Sequence, residues 1–210
     1  MKSLNKKEFD KLREVILPKI KKQLIPKRYE HTLNVEKTAI ALAEKHNGKV
    51  YDIALAALLH DNAKNFSDEE KLALCKKYHI ELSKTEEINI DLVHAKLGGV
   101  LAEDDYHVEN QDIINAIKYH TTGRPNMSMT EKIIYIADFI EPGRKDFPGL
   151  IEARKLADEN LDAALISILS LTINYVMDRG LIIDPTTEET YEYYRKKQTP
   201  EKEEKAHRTD

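Results

Sequence analysis

Only one cysteine, Cys75, occurs in this chain, so no disulfide can form within it. Its neighbours Leu72, Ala73 and Leu74 make a packed thiol the expected state. No His or Asn stands in a protease-like context, which disfavours a catalytic thiol. This usage fits a reducing compartment. Glycine and proline are scarce, seven of each, and they cluster at the boundaries of apolar segments. No segment reads as the unbroken apolar stretch that spans a bilayer. Met1 to Asp10 is half charged or polar and has no signal-peptide core. A cytoplasmic protein with no membrane partner is therefore expected. An excess of positive charge is also missing. The formal net charge is −4, which argues against a nucleic-acid-gripping protein but leaves room for a local basic pocket. No alternating run is long enough for a convincing strand, and no internal repeat is found.

What is present is helix. Apolar residues at 41 % and charged residues at 33 % are ordinary for a globular chain, and 210 residues suffice for one domain with a sizeable core. Phe9, Leu12, Val15 and Ile16 recur at helical spacing before Pro18, and the pattern stops again before Pro26. Further helices are expected near 28–46, ended by Asn47-Gly48, and near 51–60. Ser67-Asp68-Glu69-Glu70 is a capping box that opens a helix through Tyr78, and Ser83 to Glu86 repeats the signal ahead of 88–102. Short helices follow at 112–120 and 132–140, with Thr121 to Pro125 as a loop and Glu141-Pro142-Gly143-Arg144 as a stop. Two more lie near 150–158 and 161–179. We expect one all-α helical domain over 1–195, its functional core at about 26–145, and a charged tail at 196–210 that stays disordered for want of apolar anchors.

The most informative feature is His60-Asp61, which closes the apolar run Ala54 to Leu59. Residues i, i+4, i+7 and i+11 share one stripe of a helix. His31 shares its stripe with Val35, Thr38 and Leu42; His94 with Ile90, Leu97 and Leu101. His120 follows Ile113 and Ile117, and Asp138 follows Ile134. A single such histidine is most often a satisfied core residue. Four ionisable groups on core-facing stripes of four helices, plus His60-Asp61, are hard to explain separately. Burying them is costly unless they are paired or hold metal, and helical bundles build metal sites from inward side chains of facing helices. Imidazole and carboxylate donors without thiolate admit Fe, Mn, Co, Ni or Zn. His46, His79, His107 and His207 sit at helix ends, in a loop or in the tail, and receive no ligand role.

The order His31, His60-Asp61, His94, His120, Asp138 resembles the HD-domain phosphohydrolases. The segments RYEHT at 28–32, LLHDNAK at 58–64, HTTGR at 120–124, KIIYIADFIEPGR at 132–144 and FPG at 147–149 resemble one branch of them, the YqeK family of symmetrical bis(5'-nucleosyl)-tetraphosphatases. The resemblance covers about 26–185. It implies an HD-domain bundle in which His31, His60, Asp61 and Asp138 hold iron. It also implies that Arg28, His94, His120, Thr121 and Arg144 face nucleotide phosphates, and that diadenosine tetraphosphate is split into two ADP. At the C-terminus Glu188 to Tyr194 departs from the family pattern, so the last segment carries over no base- or ribose-contacting role.

The residues fit that chemistry. Splitting a phosphoanhydride needs an activated water and neutralised phosphate charge, which metal and arginine forks supply. Arg124 beside Gly123 and Arg144 beside Gly143 suit loops that approach a ligand closely. Asp61 is the expected catalytic group, and Lys64 joins it if a helical turn continues past Asp61. His94 and His120 could serve phosphate or a second metal ion, which leaves one or two ions open. Two other readings remain: a metal-dependent nucleotidase or triphosphohydrolase on mononucleotides, and a non-enzymatic nucleotide sensor. The apolar residues of the long C-terminal helix permit a homodimer without requiring one.

Overall fold

The computed structural model describes residues 3–198, and eleven α-helices and one short 3-10 turn, with no strand, make up its regular structure. The centre is α3 (Val50–Leu59), whose residues from Asp52 to Leu59 are all buried. Alanines at 54, 56 and 57 let neighbours approach closely. Helix α2 (Pro26–Lys45) packs along one side of α3, and α7 (Gln111–Lys118) and α8 (Met129–Ile140) close the others. Helix α1 (Lys6–Gln23) lies across α3, while α6 (Val93–Asp104) packs on α7. The outer layer is α9 (Pro148–Glu159), α10 (Leu161–Asp178) and α11 (Pro185–Gln198), with α10 bridging from α8 to both. One core cluster runs from Phe9 in α1 to Tyr194 in α11.

The capping boxes open helices where the spacing expects them. Ser67, Ser83 and Ser128 each accept the N3 backbone N–H while the N3 glutamate bonds back. Three boundaries differ from expectation. Helix α1 continues through Pro18. The carbonyl this orphans belongs to exposed Glu14, and burial of Phe9, Ile16 and Ile20 on either side outweighs the missing bond. The Ser83 box opens only α5 (Lys84–Ile88), and a 3-10 turn at Ile90–Leu92 precedes α6. His94 thus stands in the first turn of α6, and half-buried Ile90 is not on its helix. Residues 196–198, assigned to the tail, instead finish α11; 199–210 lie outside the described residues.

Helix α11 is held by Tyr194, whose hydroxyl accepts the Met127 N–H at 2.7 Å. Pro185 at its first turn suits a helix start, but its few apolar residues hid it from the periodicity. Helix α10 corrects the expectation on apolar runs. It has 18 residues with mean hydropathy 1.4, long and apolar enough by length and composition to cross a membrane. Here its face of Ala164, Leu165, Ile168 and Leu169 is buried against its neighbours.

Candidate metal centre

Asp61 lies in the turn that follows α3, and two helices are drawn tightly onto that turn. A Cβ at Gly98 of α6 would lie 2.7 Å from Asn62 Oδ1 and 3.2 Å from Ile117, so only glycine allows this approach. Asn62 in turn donates to the Gly98 carbonyl at 3.2 Å. Around the Asp61 carboxylate stand four imidazoles from four segments. Oδ2 is 3.3 Å from His60 Nε2 and 3.8 Å from His31 Nε2. Oδ1 is 3.2 Å from His94 Nε2 and 3.7 Å from His120 Nε2. On the far side, His31 Nε2 is 3.0 Å from Asp138 Oδ1. The structure therefore brings together His31, His60, Asp61, His94, His120 and Asp138.

The tautomers follow from the partners of Nδ1. His60 Nδ1–H donates to the Ala57 carbonyl at 2.7 Å, and His120 Nδ1–H to that of Ile117 at 2.7 Å. His94 Nδ1–H donates to the carbonyl of Asp91. A carbonyl can only accept, so these Nδ1 atoms carry hydrogen and the neutral rings present bare Nε2 lone pairs. His31 Nδ1 meets Glu141 Oε1 at 3.1 Å, another acceptor. All four Nε2 atoms converge on one carboxylate. Those of His31 and His60 are buried and have no hydrogen-bond partner, and those of His94 and His120 face each other at 3.2 Å. Two bare lone pairs at that distance repel unless a cation lies between or beside them. The donor set divides into His31/His60/Asp61 and Asp61/His94/His120, each compact enough to hold an ion. Outer partners that fix ligand rings in this way accompany metal-ligating histidines. The residues fit a divalent transition metal.

The electrostatics agree. Burial would raise the Asp61 carboxyl, but the surrounding His60, His120 and His94 imidazoles hold it well below the usual range. Asp138 is lowered likewise: burial opposes, while His31, His60 and Arg144 around it prevail. At His60, burial disfavours the charged ring, yet Asp61 raises its pKa overall. Burial, aided by His60 and His94, lowers that of His120. The cluster is a trap for positive charge.

Two arginines overhang it. Arg28 donates to Asp61 Oδ2 at 2.9 Å, and Arg144 to Asp138 Oδ1 at 3.0 Å and to its carbonyl at 2.8 Å. Both line a cavity of about 620 Å³ shared with His31, Lys27 and Lys145. Three sequence expectations come out differently. The α-helix ends at Leu59 and hydrogen-bonded turns follow, with the Lys64 N–H on the Asp61 carbonyl at 2.9 Å, but the Lys64 ammonium binds Asp91 Oδ2 at 2.6 Å. Asp91 also takes Lys71 at 3.3 Å, and its carbonyl receives His94 Nδ1–H, so Lys64 bears on the cluster through the seat of His94. Arg124 forks onto buried Glu131 at 2.5 and 2.9 Å, and no contact joins it to the cluster among the described residues. Thr121 follows His120 but lines a different, apolar cleft. Arg124→Ala is expected to cost stability on the order of 1–3 kcal/mol, since it leaves the buried Glu131 carboxylate with the Ser128 N–H as its one remaining partner among the described residues, with metal content unchanged; thermal denaturation and metal analysis check this.

Glu141 is the residue the sequence reading missed. It is buried, orients His31, and accepts the Gly143 N–H at 2.5 Å, tying the metal cluster to the Arg144 loop. A signal existed: an acid at a helix C-terminus opposes the helix dipole and needs a reason. Glu141→Ala is expected to weaken metal affinity about 10- to 100-fold, the usual cost of losing an outer partner, as measured by chelator competition.

A helical bundle with a His, a His-Asp pair and a distant Asp at its centre is an HD-domain phosphohydrolase arrangement, and the HD-domain family pattern matches residues 28–143. A symmetrical bis(5'-nucleosyl)-tetraphosphatase of Bacillus subtilis (strain 168) is 39 % identical over 86 % of this chain and 96 % of its own. The protein of that name from Staphylococcus aureus (strain NCTC 8325 / PS 47) is 33 % identical over 83 % and 90 %. A solved structure from Clostridium acetobutylicum, described as a predicted HD superfamily hydrolase involved in NAD metabolism, superposes with a TM-score of 0.84. It shares 40 % identity over 88 % of this chain and 97 % of that one. The chain belongs to the HD-domain family of symmetrical bis(5'-nucleosyl)-tetraphosphatases.

Proposed function

We infer that this protein hydrolyses dinucleoside tetraphosphates, diadenosine tetraphosphate above all, at the central phosphoanhydride to give two nucleoside diphosphates. The observation that carries the reading is the convergence of four imidazole Nε2 atoms on Asp61 beside a basic cavity. The cluster supplies the means to break an anhydride, and the cavity suits polyphosphate. The names of the relatives support the substrate and the symmetry of the cut.

His31, His60, Asp61 and Asp138 hold one ion in this reading. His94 and His120, first expected to face phosphate, hold a second with Asp61 as the shared ligand. The family favours iron; the donors alone also accept Mn, Co, Ni or Zn. When bound, such metal supplies Lewis acidity and lowers the pKa of water. The chain's own residues do the rest. Asp61 is the catalytic carboxylate that orients the attacking water. Arg28 and Arg144 turn forked donors to the phosphates, and Lys27 and Lys145 add positive charge around them. Water oxygen bonds to one central phosphorus as the bridging P–O bond breaks, and each half leaves as a diphosphate. Positioning and charge neutralisation provide most of the acceleration. The buried single cysteine suits residence in the reducing cytoplasm.

Chromatography of the reaction with diadenosine tetraphosphate tests the reading. ADP as sole product is expected. AMP with ATP would mean an asymmetric cut, and absence of turnover with Fe, Mn, Co or Ni supplied would favour mononucleotide hydrolysis or sensing.

A further inference from the structure

Arg144 stands on a loop with little of its own to hold it. Glu141 ends α8 and Pro148 begins α9, and residues 142–147 between them are all exposed, so burial does little to fix their path. Within the loop, the Arg144 N–H reaches the Glu141 carbonyl at 3.3 Å and the Gly143 N–H its carboxylate at 2.5 Å. Both bonds lead back to the near end. The far end is reached by Arg154 of α9. Its Nε donates to the Ile140 carbonyl at 2.9 Å and its Nη2 to the Glu141 carbonyl at 3.1 Å, while Nη1 bonds the Asp146 carboxylate. One guanidinium therefore holds both ends of the loop, and Arg144 lies between them.

The fork supplies direction as well as charge. Its donors lie in one plane at fixed angles, so three arms on three acceptors set where each acceptor sits. The Ile140 carbonyl is among the last of α8, where helical partners run out and a cation is favoured. The pair with Asp146 alone would contribute little, because that side chain is 64 % exposed. Joined by the same rigid group to two backbone carbonyls, it ties the loop's end to the helix it left. The last turn of α8 is thus gripped by two arginines, Arg144 on the Asp138 carbonyl and Arg154 on those of Ile140 and Glu141. Arg154 is not among the residues lining the basic cavity, and its bonds reach no side chain of the metal cluster. It can bear on substrate only through the loop.

We propose that Arg154 is a positioning residue for the phosphate clamp: it binds the two ends of the 141–147 loop together and so holds Arg144 beside the metal cluster before substrate arrives. The proposal rests on the hydrolase reading. A clamp fixed in advance loses little freedom when phosphates bind. A loose clamp must be ordered at each binding event, and affinity falls by that cost. Substrate and transition state share the loss, so it falls on KM more than on kcat.

Arg154→Ala is expected to raise the KM for diadenosine tetraphosphate about tenfold with kcat within about threefold of the parent. ADP affinity of the metal-loaded protein should fall by the same factor, with metal content unchanged. Arg154→Lys should restore little, because an ammonium lacks the fork's fixed directions. Asp146→Ala removes only the far arm, at an exposed position that leaves the packing intact, and should raise KM about threefold. A purely structural role would produce the same loss in any background. Acting through Arg144, Arg154→Ala should cost less than about twofold in ADP affinity once Arg144→Ala is in place. Tryptic cleavage after Arg144 should be roughly fivefold faster or more in Arg154→Ala, a readout of loop order that needs no hydrolysis. Unchanged ADP affinity or cleavage in folded Arg154→Ala overturns the proposal, as does full rescue by lysine or the whole tenfold loss in the Arg144→Ala background. Loss of metal in step with ADP also overturns it, by routing the effect through Glu141 and His31. Should Arg154→Ala not fold, an unchanged KM in Asp146→Ala overturns it instead. Failure of the parent to cut the dinucleotide is a separate result: it refutes the hydrolase reading, while ADP affinity and tryptic cleavage still judge the positioning role.

Discussion

Asp61→Ala is expected to lose bound metal from both ligand sets and to bring hydrolysis to background, with the helical fold retained. Each oxygen of this carboxylate faces two imidazoles: Oδ2 those of His31 and His60, Oδ1 those of His94 and His120. No other side chain belongs to both triplets. Removal leaves each set with two neutral nitrogens and no shared anion. The fold should survive because the Asp61 carboxylate contacts Arg28 and the four imidazoles and not the apolar core. Leu58, Leu59 and Ala63 around it are wholly buried and stay packed. Metal analysis, turnover and circular dichroism on one preparation separate the possibilities. A helical variant that keeps stoichiometric metal would remove Asp61 from the bridging role.

Arg144→Ala is expected to lower nucleotide affinity or turnover roughly 10- to 100-fold, equivalent to the 1.5–3 kcal/mol of a hydrogen bond to a charged group, while metal content holds. Arg144 is 40 % exposed at its side chain, and Arg28 32 %. Each keeps one edge on a cluster carboxylate and turns the rest to the basic cavity. Arg144 contacts one ligand only, Asp138, which His31 also meets at 3.0 Å, so its loss should fall on substrate with the ion kept. Lysine at 144 should restore little, because a point charge cannot fork across two phosphate oxygens. An unchanged affinity and rate would take Arg144 out of the site.

What was legible in the sequence was what repeats or caps. Buried stripes at helical spacing revealed His31, His120 and Asp138, and paired Ser and Glu residues revealed helix starts, because each signal depends only on neighbours in the chain. His94 was found for an imperfect reason: its stripe was drawn through Ile90, which lies in a separate 3-10 turn. The misses share a cause. Lys64 and Arg124 look like free cations from sequence, yet each is held by an acid, Asp91 at a separation of 27 and Glu131 at 7. Which charge meets which acid is decided by tertiary packing, and local pattern cannot report it. Glu141 hid for the same reason, since its partner His31 is 110 residues away. Helix α11 has too few apolar residues for periodicity to find it, and its anchor is one tyrosine hydroxyl against a loop N–H.

The account stands on metal in the Asp61 cluster performing the hydrolysis. Titrating chelator-stripped protein with divalent metal while ADP release from diadenosine tetraphosphate is followed tests this most directly. The account predicts no release without metal, and a rate that climbs with added ion to saturation at two per chain. Undiminished ADP release from the metal-free protein would contradict it.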